Sequence, residues 1–561
     1  MTGYPVRLAI VCAVFIVACC ALRLSLLHTR AFDPDELQHV HAAWAVHEGQ
    51  LPFRDFFEHH MPGVQFMLAP MMGRFHVDDA ADDAIRFLFV ARTLMWIFAG
   101  LVVALTVFLG MLDGGAAVGW LSGGLLTTSI VFTSRTLEIR PDTPGLALWL
   151  ASLICMATAL RPGADGDRRP RYLFMASGFF FGGALVFNQK LLLAGPGLLL
   201  FAGLYVRQQS TRPPRARALD VVSFGLASAA PLFALLAYFW YQAAAGDFVR
   251  DVLITNLGWP REVSVRSTLN WMVLRDPWLM TVVVAGVVQA AIEMRRQRST
   301  SLSTGLLLFP TISLVVGLFI IPTPYPQYML LMLPAGSVLG ARFVWALCDA
   351  LPARRRFVRG GSTVDCVIVA ASAVCVAAIG MYVARPFFMH PAAYPALGVT
   401  TVIAVAMLAS RRKVEWTAVI LLGACSAYTL QQLRWMQGES NADALREMRY
   451  IHTMTQPTDR VLDGFSGLSW FRPHASFFPF LHQGVRNHLS AREAAGVAEV
   501  LAKCAERPKL VILDEHLIGI SPAVAPLVSR FYDPSRSKLI WIRKPETCHE
   551  NKSEGAERAF Q

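Results

Sequence analysis

Charge is scarce in this chain. Asp, Glu, Lys and Arg make up 16% of its 561 residues, against about a quarter in an ordinary globular domain. With 55% hydrophobic residues and a mean hydropathy of +0.45, that shortage excludes a soluble globular protein. Internal repeats are missing too, as is any low-complexity tract beyond the hydrophobic bias. The lack of a repeat tells against a transporter built from two related halves with ionisable groups near the bilayer midplane. Of the ten cysteines, eight lie in or beside apolar runs and read as small packing residues. Only Cys504 and Cys548 fall in the polar C-terminal region, where an oxidising compartment would permit a disulfide.

What is present is a series of apolar runs, each about 17 to 25 residues long and able to cross roughly 30 Å of hydrocarbon. They lie near 6–27, 86–110, 116–134, 143–160, 172–188, 190–206, 221–241, 277–293, 302–321, 327–348, 363–384, 393–410 and 414–432. The formal net charge is +12, but its distribution is not that of a nucleic-acid-binding face, so no nucleic-acid partner is expected. Basic residues collect in alternate short loops, such as Arg207–Arg217, Arg295–Arg298, Arg354–Arg359 and Arg411–Lys413, whereas the loops between hold only Arg135, Arg140, Lys190 and Arg385. The positive-inside rule then places the N-terminus in the cytoplasm and everything after about residue 435 outside. Ile16-Val17-Ala18-Cys19 also fits a lipobox, yet the length of the run and the bundle after it favour an uncleaved first span. Under either reading the 28–84 loop is external.

The chain divides into a membrane bundle over 1–435, a small external α/β domain over 436–544 and a polar, disordered tail over 545–561. In the C-terminal domain, Glu439–Thr455 and Ser490–Arg507 read as helices, and Arg460–Asp463, Lys509–Asp514 and Lys538–Arg543 as strands. Two external loops are long, 28–84 and 242–276. In the first, Leu37, Val40 and Trp44 recur at helical spacing over Pro34–Glu48, a stripe suited to a helix lying on the membrane surface.

Four polar clusters fall on the same predicted face. Asp33-Pro34-Asp35-Glu36 has the make-up of a helix start, with Asp33 as N-cap, Pro34 in the first turn, and Asp35 and Glu36 on the positive end of the dipole. Capping leaves unexplained why the same loop also holds Asp55, Glu58 and histidines 39, 41, 47, 59, 60 and 76. The second cluster is Arg135-Thr136-Leu137-Glu138-Ile139-Arg140-Pro141-Asp142, four charges in a short turn. The third is Asn188-Gln189-Lys190, where the lysine either snorkels to headgroups or meets a lipid phosphate. The fourth is Thr323-Pro324-Tyr325-Pro326-Gln327-Tyr328. Convergence of distant polar segments on one face suggests a single site.

Taken in order, FDPDE (32–36), EGQLPFRDFFEHHMPG (48–63), EIRPDTPGLAL (138–148), FNQK (187–190) and PTPYPQYMLLMLP (322–334) resemble the polytopic GT-C glycosyltransferases. The nearest branch contains protein O-mannosyltransferases, aminoarabinose transferases of lipid A and galacturonosyltransferases of the lipopolysaccharide core. The resemblance spans about 1–435. It implies a bundle of about 13 transmembrane helices with a small C-terminal α/β soluble domain. It also implies transfer of a hexose or pentose from a polyprenyl-phosphate donor to an envelope acceptor, a glycolipid or a protein. By position Asp35 matches the family's catalytic aspartate and Asp142 its second acidic residue. Glu58 matches an acidic residue that in some members helps hold a divalent metal, and Lys190 and Tyr328 match contacts to the lipid phosphate. The chain departs from the aminoarabinose transferases in carrying His59 where they have a basic residue. It also offers Asn256 and no histidine in the second long loop, which argues against aminoarabinose as the sugar.

On this reading Asp35 deprotonates the acceptor or steadies an oxocarbenium-like centre, while Arg140, Lys190 and His59 face the leaving phosphate. Glu36, Glu58, Tyr325 and Tyr328 complete the expected substrate contacts. The rival class is a polytopic lipid or sugar transporter or flippase, which would need the same kind of bundle. A third is a structural subunit whose external domain recruits envelope partners.

Overall fold

The computed structural model describes residues 4–161, 169–207, 212–296, 302–357 and 438–545, together with Leu422 and Met436. The protein is a multi-pass helical membrane bundle with a small α/β domain seated on one end of it. Helix α1 (Tyr4–Leu26) leads into the first long loop, which contains α2 (Pro34–His47) and α3 (Gly63–Met72). The bundle continues through α4 (Ala81–Thr128), α5 (Ile130–Arg135), α6 (Asp142–Ala159), α7 (Arg169–Phe187), α8 (Gly195–Arg207) and α9 (Pro214–Tyr241). The second loop folds into α10 (Ala245–Val249), α11 (Thr255–Leu257) and α12 (Val265–Arg275), followed by α13 (Pro277–Arg296), α14 (Leu302–Gly317) and α15 (Leu333–Phe357).

Among the described residues, seven helices are long and apolar enough to cross a membrane, and α3 and α14 are shorter apolar helices. Helix α4 is 48 residues long, about 72 Å at 1.5 Å per residue and so more than two bilayer cores if straight. It is not straight. Gly115 has φ +83° and ψ −176°, a conformation open to glycine, and beyond it Gly119 and Gly123 fold back against Val107. The sequence-level runs 86–110 and 116–134 are thus the two arms of a hairpin. The last three expected spans, 363–384, 393–410 and 414–432, lie outside the described residues.

The C-terminal domain opens with α16 (Ala442–Met454), then β1 (Val461–Asp463), α17 (Gln483–His488), α18 (Ala491–Ala502), β2 (Leu510–Ile512), α19 (Glu515–Ile518), α20 (Val524–Phe531), β3 (Tyr532–Pro534) and β4 (Ile540–Arg543). Three of its four strands and two of its helices match sequence expectation; β3, Tyr532-Asp533-Pro534, lacks the apolar run that marked the others. The sheet order is β1-β2-β4-β3, with β1 and β2 parallel and β4 antiparallel to both of its neighbours. Asp463 and Asp514 lie at and just beyond the carboxyl ends of the parallel pair, the end where open α/β sheets place their loops for binding. Burial, then the neighbouring Asp514 charge, pushes Asp463 up to about 7. Cys504 is disulfide-bonded; Cys548 and the tail after residue 545 lie outside the described residues.

The apolar stripe of α2 does not face lipid. Leu37, Val40 and Trp44 share one buried cluster with Val64 and Leu68 of α3, Phe87 and Leu88 of α4, Met448 and Ile451 of α16, and the sheet residues Val461, Leu510 and Ile540. Amphipathic spacing reports a buried face without saying what buries it, and here the cover is protein. The joint is pinned by backbone bonds from Ala31 N–H to Glu439 O at 2.9 Å and from Asn441 N–H to Thr29 O at 3.1 Å.

Candidate active site

The N-terminus of α2 is built as its sequence suggests. Asp33 accepts from Asp35 N–H at 3.0 Å and Glu36 reaches back to Asp33 N–H at 3.1 Å, a capping box with Pro34 in the first turn. The acids then part company. Glu36 is fully buried and paired with Arg92 at 2.7 Å, while its second oxygen accepts from Ile139 N–H at 3.2 Å. Glu36 was expected to contact substrate; its position is that of a tie between α2, α4 and the 136–141 turn.

Arg140 also differs from expectation. Its Nε donates to Glu138, its Nη2 lies 3.0 Å from Asp33 and its Nη1 2.8 Å from Asp35. All three donor positions serve carboxylates of the protein, so Arg140 holds Asp35 and is not a free cation for a phosphate. Arg135 and Arg30 close the cluster, at 3.0 Å and 2.5 Å from Glu138. Burial would raise Asp35, but Arg140 first, then His39, His60 and His482, hold it down at about 2. Its side chain is 34% exposed, against 0% for Glu36 and Glu138 and 1% for Glu58. Both Asp33 oxygens are occupied by the cap and the arginines, whereas among the described residues only Oδ2 of Asp35 is engaged.

Asp142 begins α6 and is buried. Its Oδ1 accepts from Asn188 Nδ2 at 2.8 Å and lies 3.9 Å from Lys190 Nζ. The Lys190 ammonium in turn sits 3.8 Å above the Tyr328 ring, a cation–π contact. Burial pushes the Tyr328 phenol up, Lys190 pulls it down, and both Asp142 and Asp35 are close enough to act on it. Through Tyr328 the second, third and fourth sequence clusters meet the first. Tyr325 packs edge-on to Tyr328 at 5.9 Å and donates to Glu262 at 2.5 Å, so its hydroxyl is committed to the second long loop.

The histidines divide. His76 is exposed beside Asp79, and His41 bonds Trp470 O at 3.0 Å under the C-terminal domain. His39, His59 and His60 come together around Glu58. Glu58 Oε1 accepts from the His59 and His60 N–H groups at 2.8 and 2.9 Å and meets His60 Nδ1 at 2.7 Å. Gln65 donates to Glu58 Oε2 at 3.2 Å. His59 stacks on Trp259 at 4.6 Å, and its carbonyl accepts from Asn256 and Gln189 at 2.7 and 3.1 Å. Burial, then the closeness of His60, holds His59 well below its usual range. Burial thus disfavours the cation expected at that position, and the ring stacks on Trp259. Burial likewise brings His39 and His60 to about 3.

One atom each of His39, Glu58 and His60 falls within a 4.8 Å group, and His39 Nδ1 is buried without a hydrogen-bond partner. Two neutral imidazoles and a carboxylate are a donor set that suits a borderline divalent cation. The residues fit such an ion, with His39 and His60 supplying what the second loop, with Asn256, does not.

Sequence reasoning missed Glu262, Trp259 and His482. A Cβ at Gly484 would collide with the Trp259 ring, so this glycine lets the first turn of α17 close onto the second loop. His482, which caps that helix, thereby reaches the neighbourhood of Asp35. Only contacts between three chain segments reveal this, and no local pattern encodes them.

The family model of dolichyl-phosphate-mannose-protein mannosyltransferases matches residues 83–234. No curated protein matches the sequence. Among solved structures, ArnT from Cupriavidus metallidurans bound to undecaprenyl phosphate superposes with a TM-score of 0.61 at 14% identity, covering 95% of this chain and 97% of that one. Its apo form gives 0.59 at 15% identity, again over 95% and 97% of the two chains. At such identity the likeness establishes the fold, end to end, and the family match covers the stretch from the start of α4 to most of α9. Residues 83–234 match that mannosyltransferase family, and the chain as a whole has the GT-C fold.

Proposed function

We propose that this protein moves a hexose or pentose from a polyprenyl-phosphate donor to an envelope acceptor at the periplasmic face of a bacterial inner membrane. The observation that carries the reading is the presence of one accessible carboxylate, Asp35, and one lysine, Lys190, braced by Asp142 and Tyr328, both close enough to act on the Tyr328 phenol. The similar ArnT structure holds undecaprenyl phosphate, and a donor of that class suits this arrangement. The bond between the anomeric carbon and the phosphate oxygen breaks, and its electron pair leaves with the phosphate. Lys190 stabilises the charge gathering there. An acceptor oxygen bonds to the anomeric carbon and its proton passes to Asp35. A carboxylate held near 2 is a weak base. It takes the proton only as the acceptor oxygen turns positive, and until then its charge favours the oxocarbenium-like centre.

Lys190→Ala should raise the donor concentration needed for half-maximal transfer by about 10-fold or more, read from donor titrations in nanodiscs. Unchanged donor dependence would reduce Lys190 to a snorkelling side chain. A divalent cation, when bound, would add a fixed positive charge beside the same site, held by His39, Glu58 and His60. Zinc or manganese should then raise the thermal midpoint of chelator-treated protein, and His39→Gln should abolish that rise. A wild-type midpoint indifferent to both metals removes the ion from the reading. The overall function is tested by mass spectrometry of envelope glycolipids and glycoproteins with and without the gene. A sugar should disappear from one of them; identical profiles, with the intact protein present, would overturn the proposal.

A further inference from the structure

Glu262 and His482 belong to different parts of the chain, yet they face each other beside the site. Loop residues 260–262 are moored on the 323–325 turn: Glu262 N–H donates to Thr323 Oγ1 at 2.9 Å, and Thr323 Oγ1 donates to Pro260 O at 2.6 Å. Glu262 Oε2 accepts from Tyr325 at 2.5 Å. Among the described residues its Oε1 is buried and has no hydrogen-bond partner. Across from it, His482 Nδ1 accepts from Gly484 N–H at 3.1 Å, which fixes the tautomer and leaves the proton on Nε2. That Nε2 lies 3.9 Å from Glu262 Oε2, too far for a direct hydrogen bond.

A donor and an unpaired acceptor held apart at fixed positions match a hydroxyl group, which accepts one hydrogen bond and donates another. The wall beside them is aromatic. The Phe465 ring lies 5.0 Å from both the His482 and the His516 rings, and His516 Nδ1 is a further buried nitrogen without a partner. Flat apolar rings next to convergent hydroxyl-binding groups suit a sugar ring, which is apolar on one face and hydroxylated around its edge.

We propose that Glu262 and His482 form the acceptor subsite, and that the acceptor presents a saccharide head group to it, its hydroxyl held between Glu262 Oε1 and His482 Nε2–H with its ring against Phe465. This rests on the glycosyl-transfer reading above and gives the C-terminal domain its task. His482, carried by α17, completes a site that the membrane bundle only half supplies. Both are positioning residues; neither is placed at the reacting bond.

The test uses the full-length protein expressed in a deletion strain, with Glu262→Gln and His482→Asn. Asparagine retains an acceptor to cap α17 but withdraws the Nε2 donor. Each variant should lower the glycosylated product by about 10-fold or more while still binding undecaprenyl phosphate, read as an unchanged thermal shift of the purified variant. Raising the acceptor level should restore product in both variants, a recovery that a merely structural defect would not show. Product at wild-type level in both variants overturns the subsite. Acceptor mass spectra that place the sugar on a protein side chain overturn the saccharide assignment. A wild-type protein that ignores undecaprenyl phosphate but still loses product in these variants would instead count against the donor reading and leave the acceptor subsite standing.

Discussion

Asp35→Asn should lower glycosyl transfer by about 10²–10⁴-fold, the range carried by a positioned acid or base, with undecaprenyl phosphate binding and membrane insertion unchanged. Asparagine keeps the size of the side chain and can still accept from Arg140, now 2.8 Å from Asp35, so the turn keeps its geometry while the charge and the proton acceptor are lost. Asp33 continues to cap α2 in the variant. The pH profile adds a second reading. A carboxyl held down at about 2 by Arg140 and its neighbours against the pull of burial is ionised at any pH above about 4. The stability it contributes is complete above its unfolded value and is lost only as pH falls toward 2. An acidic limb in the rate between about pH 5 and 7 must then come from another group. Transfer by Asp35→Asn at even a tenth of the wild-type rate would remove Asp35 from the chemistry.

Glu36→Gln should be the most destabilising single change in this region, by about 3–5 kcal/mol, the usual cost of leaving one half of a buried ion pair unmatched. Arg92 is buried and also donates to the carbonyls of Leu27, Arg30 and Ala31 at 3.0, 2.9 and 3.1 Å, so it cannot turn away to water. Without the Glu36 carboxylate, α2 loses its anchor to α4 and to Ile139 N–H, and Asp35 one residue earlier loses its placement. Activity should therefore fall along with the thermal midpoint. The double replacement Glu36→Leu with Arg92→Met should recover much of the midpoint, because apolar residues of similar volume carry no desolvation penalty. It should not recover activity if the capping box is what aims Asp35. A Glu36→Gln protein as stable as the wild type would show that the pair is not holding the loop.

Much of this was legible in the sequence. The hydropathy runs marked the bundle because a lipid-spanning segment has to be long and apolar wherever it packs. The α2 start was readable because capping is local: Asp33, Pro34 and Glu36 act on backbone groups within one turn. The strand and helix periods of the C-terminal domain could be read for the same reason. The four polar clusters could be grouped on one face, since polar residues crowded at the ends of apolar runs have few places to go. It was the resemblance to GT-C enzymes that singled out Asp35, Asp142, Lys190 and Tyr328 within them.

The tertiary structure decided which charges are free. Glu36, Glu58, Arg140 and Asp35 all stand as candidate contacts in sequence, but the first three are taken up by partners. Glu36 is taken by Arg92 and Ile139, Glu58 by its neighbours His59, His60 and Gln65, and Arg140 by three carboxylates. Arg140 is surrounded by Glu138, Asp33 and Asp35, and only Asp35 keeps an accessible side chain. The histidines could not be sorted from sequence, because an imidazole's role depends on its burial and neighbours. His39 and His60 meet at Glu58, His59 stacks on Trp259 and His41 goes under the C-terminal domain. His482 was invisible for the plainest reason. It lies more than 400 residues from Asp35 in the chain, and only the closure of α17 over Trp259, which Gly484 permits, brings the two together.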